Sequence, residues 1–166
     1  DRLIRASMDK PEFKEKIRLR AYGLADDSSP VFLELKRKSR GVVYKRRIQA
    51  TVPQADAFFA GFDTLEHSQI GREIACFRDQ YRSLRPACMI IYDREAYYEP
   101  DGETRLTVDF NPRYRTDHLT LTHSMEGKPL LPPGCAILEV KVASAMPLWL
   151  SHILDAGGIR KASFSK

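Results

Sequence analysis

Several familiar catalytic signatures are missing from this sequence. It has no Walker A loop, no G-x-S-x-G elbow and no H-E-x-x-H, although His67, His118, His123 and His152 are available. Those histidines read as surface or satisfied core residues, and P-loop, serine-hydrolase and zinc-protease chemistry are unsupported. Cysteine is scarce. Cys76, Cys88 and Cys135 are odd in number, widely spaced and form no C-x-x-C pair, which removes the usual zinc and redox motifs and fits a reducing, cytoplasmic setting. No apolar run approaches the ~20 residues that a membrane span needs, and the opening residues carry no secretory pattern. There is no internal repeat of fixed period and no low-complexity linker.

What is present is charge laid over a period of two. The 166 residues are 43% hydrophobic and 30% charged, the composition of one soluble globular domain. Lys and Arg number 27 against 22 Asp and Glu, giving +5 and a pI near 9.2. Such an excess fits anionic partners such as phosphates, nucleic acid or acidic lipid without choosing among them.

From Lys14, cations Lys16, Arg18 and Arg20 alternate with Ile17, Leu19 and Ala21, which predicts a strand with its basic groups on one face. Val31 to Lys38 repeats the pattern, with Leu33 and Leu35 opposed to Glu34, Lys36 and Lys38. Ser39-Arg40-Gly41 reads as a hairpin connection into a third strand, Val42 to Gln49, carrying Lys45 and Arg47 on one face. Later strands are expected over Met89 to Glu99, Thr104 to Phe110, His118 to Thr122 and Cys135 to Val142, with Asp101-Gly102 as a hairpin turn. In the last strand Glu139 and Lys141 share a face, the ordinary mark of a half-buried strand.

Helices interrupt this series. Pro53 sits at a tolerated first-turn position and Gly61 closes that segment. Ile70, Ile74, Phe77, Tyr81 and Leu84 fall at spacings of four, three, four and three, predicting a helix with one apolar stripe. Pro147 opens another, where Trp149 with Ile153 and Leu150 with Leu154 pair at helical spacing before Gly157-Gly158.

Six or seven antiparallel strands with basic faces admit two α+β architectures: an open sheet with its charged face in water, or a curled sheet whose charged face lines a lumen. Two like charges ~5 Å apart repel by about 3 kcal/mol at an effective dielectric of about 20, so a cation-lined lumen calls for an anion. Carboxylates Glu34, Asp109 and Glu139 lie among the cations, either neutralising them or holding an oxygen-loving divalent ion. Arg forks match phosphate oxygens, which favours a triphosphate or longer polyphosphate.

The motifs Glu15-Lys16-Ile17-Arg18-Leu19-Arg20-Ala21-Tyr22-Gly23, Phe32-Leu33-Glu34-Leu35-Lys36, Val43-Tyr44-Lys45-Arg46-Arg47, Tyr92-Asp93-Arg94-Glu95-Ala96-Tyr97, Arg105-Leu106-Thr107-Val108-Asp109, Leu138-Glu139-Val140-Lys141 and Ser163-Phe164-Ser165-Lys166 together resemble the VTC domain. That is the polyphosphate polymerase domain of the triphosphate tunnel metalloenzyme (CYTH-like) superfamily, here in its prokaryotic form. The resemblance implies an antiparallel β tunnel, or barrel, with a basic lumen and helices packed outside. It also implies a metal-dependent transferase that moves the terminal phosphoryl group of ATP onto a growing polyphosphate chain, with Mn²⁺ or Mg²⁺ as cofactor.

Carried over by position, Arg18, Arg20, Lys36, Lys45, Arg94, Arg105, Lys141 and Lys166 would bind phosphate. Lys36, Arg94 and Glu139 form the implied catalytic set, with Glu139 as metal ligand. Residues 1–166 are expected to be a single domain lacking the family's first strand. ATP and polyphosphate are the expected partners. Nucleic acid is not, because no aromatic stacking motif is evident on the cationic faces. The alternatives to the polymerase are a metal-dependent triphosphate or polyphosphate hydrolase and a non-catalytic polyphosphate or nucleotide binding module.

Overall fold

The computed structural model describes residues 5, 11–63, 65–81, 84–100, 104–162 and 164. The chain divides into two compact units, Asp1–Met89 with Thr116–Met125, and Ile90–Arg115 with Glu126–Lys166.

The first unit is built on strands β1 (Phe13–Arg20), β2 (Pro30–Ser39) and β3 (Val42–Thr51), antiparallel in that order. Alternation gives the sheet one apolar face, where Val31, Leu33, Leu35, Ile48 and Ala50 are buried. Helices α1 (Val52–Phe59) and α2 (Gln69–Tyr81) cover it, contributing Ala55, Phe58, Ile74 and Phe77 to the same core. The predicted stripe on α2 is therefore the buried face. At Gly71 a Cβ would lie 2.1 Å from the carbonyl oxygen of Glu66, so only glycine admits that close approach.

Local chemistry sets the ends of these elements. Thr51 caps α1 in a reciprocal box, with its backbone N–H donating to Gln54 Oε1 at 2.9 Å while its hydroxyl accepts from Gln54 N at 3.4 Å. The β2–β3 hairpin turns on Arg40 and Gly41 between the paired Ser39 and Val42. Both turn residues have positive φ, +47° and +85°, the signature of the tight turn whose twist matches its strands.

The second unit carries a sheet of β4 (Met89–Tyr98), β5 (Arg105–Arg115), β6 (Lys128–Pro129) and β7 (Ile137–Lys141), followed by helix α3 (Leu148–Ala156). β4 lies on one side of β5, and β6 and β7 share the other. Asn111, at φ +46°, separates the part of β5 that pairs with β7 from the part that pairs with β6. The alternation breaks there, which is why the sequence pattern ends at Phe110 although β5 continues to Arg115. The Asp101-Gly102 turn lies outside the described residues.

Two expectations are corrected. In place of the expected closed antiparallel β tunnel the strands make two separate sheets, and among the described residues no ladder joins them into a barrel. The segment His118 to Thr122 is not a strand either. His118 has φ +45°, and the Thr120 N–H donates back to its carbonyl at 2.8 Å, so the chain turns where the alternation reads as extended.

Candidate functional site

The register of the first sheet places most of its basic residues in rows on the face opposite the helices, Arg37 and Arg46 being on the helix-covered face, where they pair with Glu15 and Glu73. Lys14 faces Lys38, Lys16 faces Lys36, Arg18 faces Glu34 and Arg20 faces Phe32 across β1 and β2. Across β2 and β3, Lys36 faces Lys45 and Glu34 faces Arg47. One row is therefore Lys16–Lys36–Lys45, three ammonium groups with no carboxylate between them. Burial is the leading cause that pushes the Lys36 amine below the ordinary lysine value, and Lys45, Lys16, Lys14 and Arg18 add to it.

The next row is neutralised at its centre. Glu34 Oε2 accepts from Arg18 Nε at 2.9 Å and pairs with Arg18 Nη2, while its Oε1 lies 3.8 Å from Arg47 Nε. Beyond it stands an aromatic group that alternation within single strands did not reveal. The Arg47 guanidinium sits 3.7 Å from the centre of the Phe32 ring, and Arg20 lies 4.6 Å from that of Tyr22. Tyr22 and Phe32 meet edge to face at 5.7 Å. Arg47 Nη2 donates to the Tyr22 hydroxyl at 3.5 Å, the leading cause that lowers that phenol's pKa. Aromatic rings thus share the cationic face, contrary to the sequence-based expectation.

Of the expected phosphate ligands, Arg18, Arg20, Lys36 and Lys45 come together on this face. Lys14, Lys16, Lys38 and Arg47 join them. The strand pattern signals these additional cations, but only the cross-strand register places them in common rows.

Arg94, Arg105, Glu139 and Lys141 belong to the second sheet. Arg105 faces Lys141 and Thr107 faces Glu139 across β5 and β7. Arg94 forks onto the fully buried Asp109, with Nε to Oδ1 at 2.5 Å and Nη2 to Oδ2 at 2.8 Å. Much of its hydrogen-bonding capacity is therefore committed to the protein. Glu139 is flanked by cations, with Lys141 Nζ 3.1 Å from Oε1 and Arg94 Nη2 3.8 Å from Oε2. Arg105 stacks 4.9 Å from the Tyr98 ring. Lys166 lies outside the described residues.

This arrangement corrects the cofactor and the chemistry. Hard divalent cations take several oxygen ligands, yet among the described residues no three His, Cys, Asp or Glu side chains gather to supply them. Glu139 is engaged by Lys141 and Arg94 rather than grouped with other free carboxylates. The residues present do not fit the expected Mn²⁺ or Mg²⁺. Among the described residues the metal-dependent polymerase has neither the closed barrel nor the metal-ligand cluster it calls for, and the readings as a transferase and metalloenzyme are not supported.

Among the described residues no helix is long and apolar enough to cross a membrane. No curated protein matches the chain. The family model of the VTC domain matches residues 1–166, and the protein belongs to the VTC domain family.

Proposed function

We propose that the protein is a non-catalytic module that binds polyphosphate or nucleotide through the open face of β1–β3. The observation that carries this reading is the Lys16–Lys36–Lys45 row. Like charges placed directly opposite on adjacent strands are destabilising, and a phosphate chain laid along the rows would supply the missing counter-charge. Arg18, Arg20 and Arg47 add guanidinium forks beside that row, suited to phosphate oxygens. The aromatic group at the end of the face favours ATP among phosphate ligands, because a base can stack where the phosphates end. In the second sheet, Arg105 and Lys141 serve the same ligand class.

In this reading residues 1–166 act as one functional domain in the cytoplasm. The three cysteines are free and exposed, which suits a reducing compartment. Titration calorimetry with tripolyphosphate, long-chain polyphosphate and ATP, in the presence of a chelator, tests the reading. Binding that survives the chelator and weakens in Lys36→Met and Lys45→Met is expected. No binding at low salt, or conversion of ATP to polyphosphate or orthophosphate by the purified protein, would overturn it.

A further inference from the structure

On the second sheet, two buried donors have no acceptor among the described residues. Thr107 is 3% exposed, and its Oγ1 meets no hydrogen-bond partner there; the Nε of Arg105 is likewise buried and unpartnered among those residues. The two residues are i and i+2 on β5, so their side chains leave the same face of the sheet. That face also carries the Arg94–Asp109 fork and the Glu139–Lys141 pair.

Native folds rarely leave buried polar atoms unpaired, and each exception invites an explanation. Here the obvious acceptors are already engaged. Asp109 is held at both oxygens by Arg94, while Glu139, directly across from Thr107, is held by Lys141 at 3.1 Å. Among the described residues Arg105 forms no ion pair, and its guanidinium rests against Tyr98. Arg94, Arg105 and Lys141 against Asp109 and Glu139 leave one positive charge in excess, and Arg105 is the unpaired cation.

We propose that Arg105 Nε and Thr107 Oγ1 form an oxyanion site on β5 that receives an oxygen of a phosphate group, with Thr107 as a binding residue. The inference rests on the phosphate-binding reading above, in which Arg105 already serves the ligand class, and adds Thr107 beside it. Phosphate suits the donors because guanidinium and hydroxyl groups both donate to its oxygens, and charge-assisted hydrogen bonds of this kind are short and strong. The hydroxyl then has a role that the fold itself does not give it.

The experiment compares wild type, Thr107→Val and Thr107→Ser by tripolyphosphate calorimetry and by urea unfolding. Valine keeps the shape of threonine while removing the donor. Replacing an unpaired buried hydroxyl by an apolar group of the same shape is close to neutral or stabilising, so Thr107→Val is expected to be at least as stable as wild type. Its affinity for tripolyphosphate should fall about tenfold, the order expected for a hydrogen bond to a charged group, and Thr107→Ser should retain most of it. Unchanged affinity in Thr107→Val, with wild type still binding and Lys36→Met still weakened, would overturn this site and leave the first-sheet reading intact. Parallel loss of stability and affinity would assign the hydroxyl a structural role and overturn it too. Failure of wild type to bind tripolyphosphate overturns both.

Discussion

Lys36 faces Lys45 directly across the β2–β3 pair, and Lys16 flanks it on β1. Burial and these neighbours hold the Lys36 amine below the ordinary lysine value. In that situation the unfolded chain retains the proton to higher pH than the folded one. The penalty is complete below the folded pKa, and stability recovers as pH rises from that value through the ordinary one.

Lys36→Met keeps the apolar stem and removes the charge. At neutral pH it should raise stability by about 0.2–1 kcal/mol, the range for a cross-strand pair, and flatten the alkaline rise seen in wild type. Urea unfolding of both proteins at neutral pH and along the alkaline limb measures this. A variant less stable than wild type at neutral pH would show that repulsion does not dominate the row.

Tyr22 is 65% exposed, so its ring can be removed without opening the core. Tyr22→Ala should weaken ATP binding by about 1–3 kcal/mol, the usual worth of stacking one base on an aromatic ring. Tripolyphosphate has no base and should bind as before. Tripolyphosphate also carries at least as much negative charge as ATP, so charge alone cannot make ATP the tighter ligand. Calorimetry with both ligands on both proteins decides the matter: equal losses for the two would remove stacking as the cause.

Alternation made β1, β2, β3 and the stripe on α2 legible, because one buried face against one charged face leaves a period-two or helical trace. Arg18, Arg20, Lys36 and Lys45 were legible for the same reason. Closure was not. A strand pattern states which side chains share a face, and an open sheet and a curled one satisfy it equally. The pairing of Phe32 with Arg20 and the stacking of Arg47 on Phe32 depend on register between strands, which no single strand encodes. Asn111 and His118 misled for a local reason: a positive φ redirects the chain, which broke the alternation inside β5 at Asn111 and bent an alternating segment out of extended form at His118.

Arg40 occupies the left-handed region at the β2–β3 turn, with φ +47°. Asparagine tolerates that region far better, and Asn-Gly is a preferred pair for this turn. Arg40→Asn should stabilise the first unit by about 1 kcal/mol, given a left-handed penalty of about 1–2 kcal/mol for an ordinary residue. The Arg40 N–H donates to the Glu12 carbonyl at 3.3 Å, a backbone contact that the substitution keeps. Thermal and urea unfolding measure the gain. A loss of stability would mean that the arginine side chain contributes more than its backbone conformation costs.

Glu34 is the carboxylate among the cation rows, bonded to Arg18 and 3.8 Å from Arg47. It has two separable effects on a polyanion: it repels the ligand, and it holds two guanidiniums in place. Glu34→Gln keeps the shape and removes the charge. Exposed ion pairs contribute about 0–1 kcal/mol, so stability should fall by no more than that. If repulsion dominates, tripolyphosphate affinity rises about fivefold, since removing a like charge near the ligand is worth on the order of 1 kcal/mol at high effective dielectric. The two forks would then turn from the carboxylate to the phosphates. If orientation dominates, affinity falls, because Arg18 and Arg47 lose the group that aims them. We expect the rise, because the Lys16–Lys36–Lys45 row beside Glu34 already supplies cations in fixed register and needs no carboxylate to position them. A fall in affinity with stability unchanged would instead make Glu34 a positioning residue for the arginines.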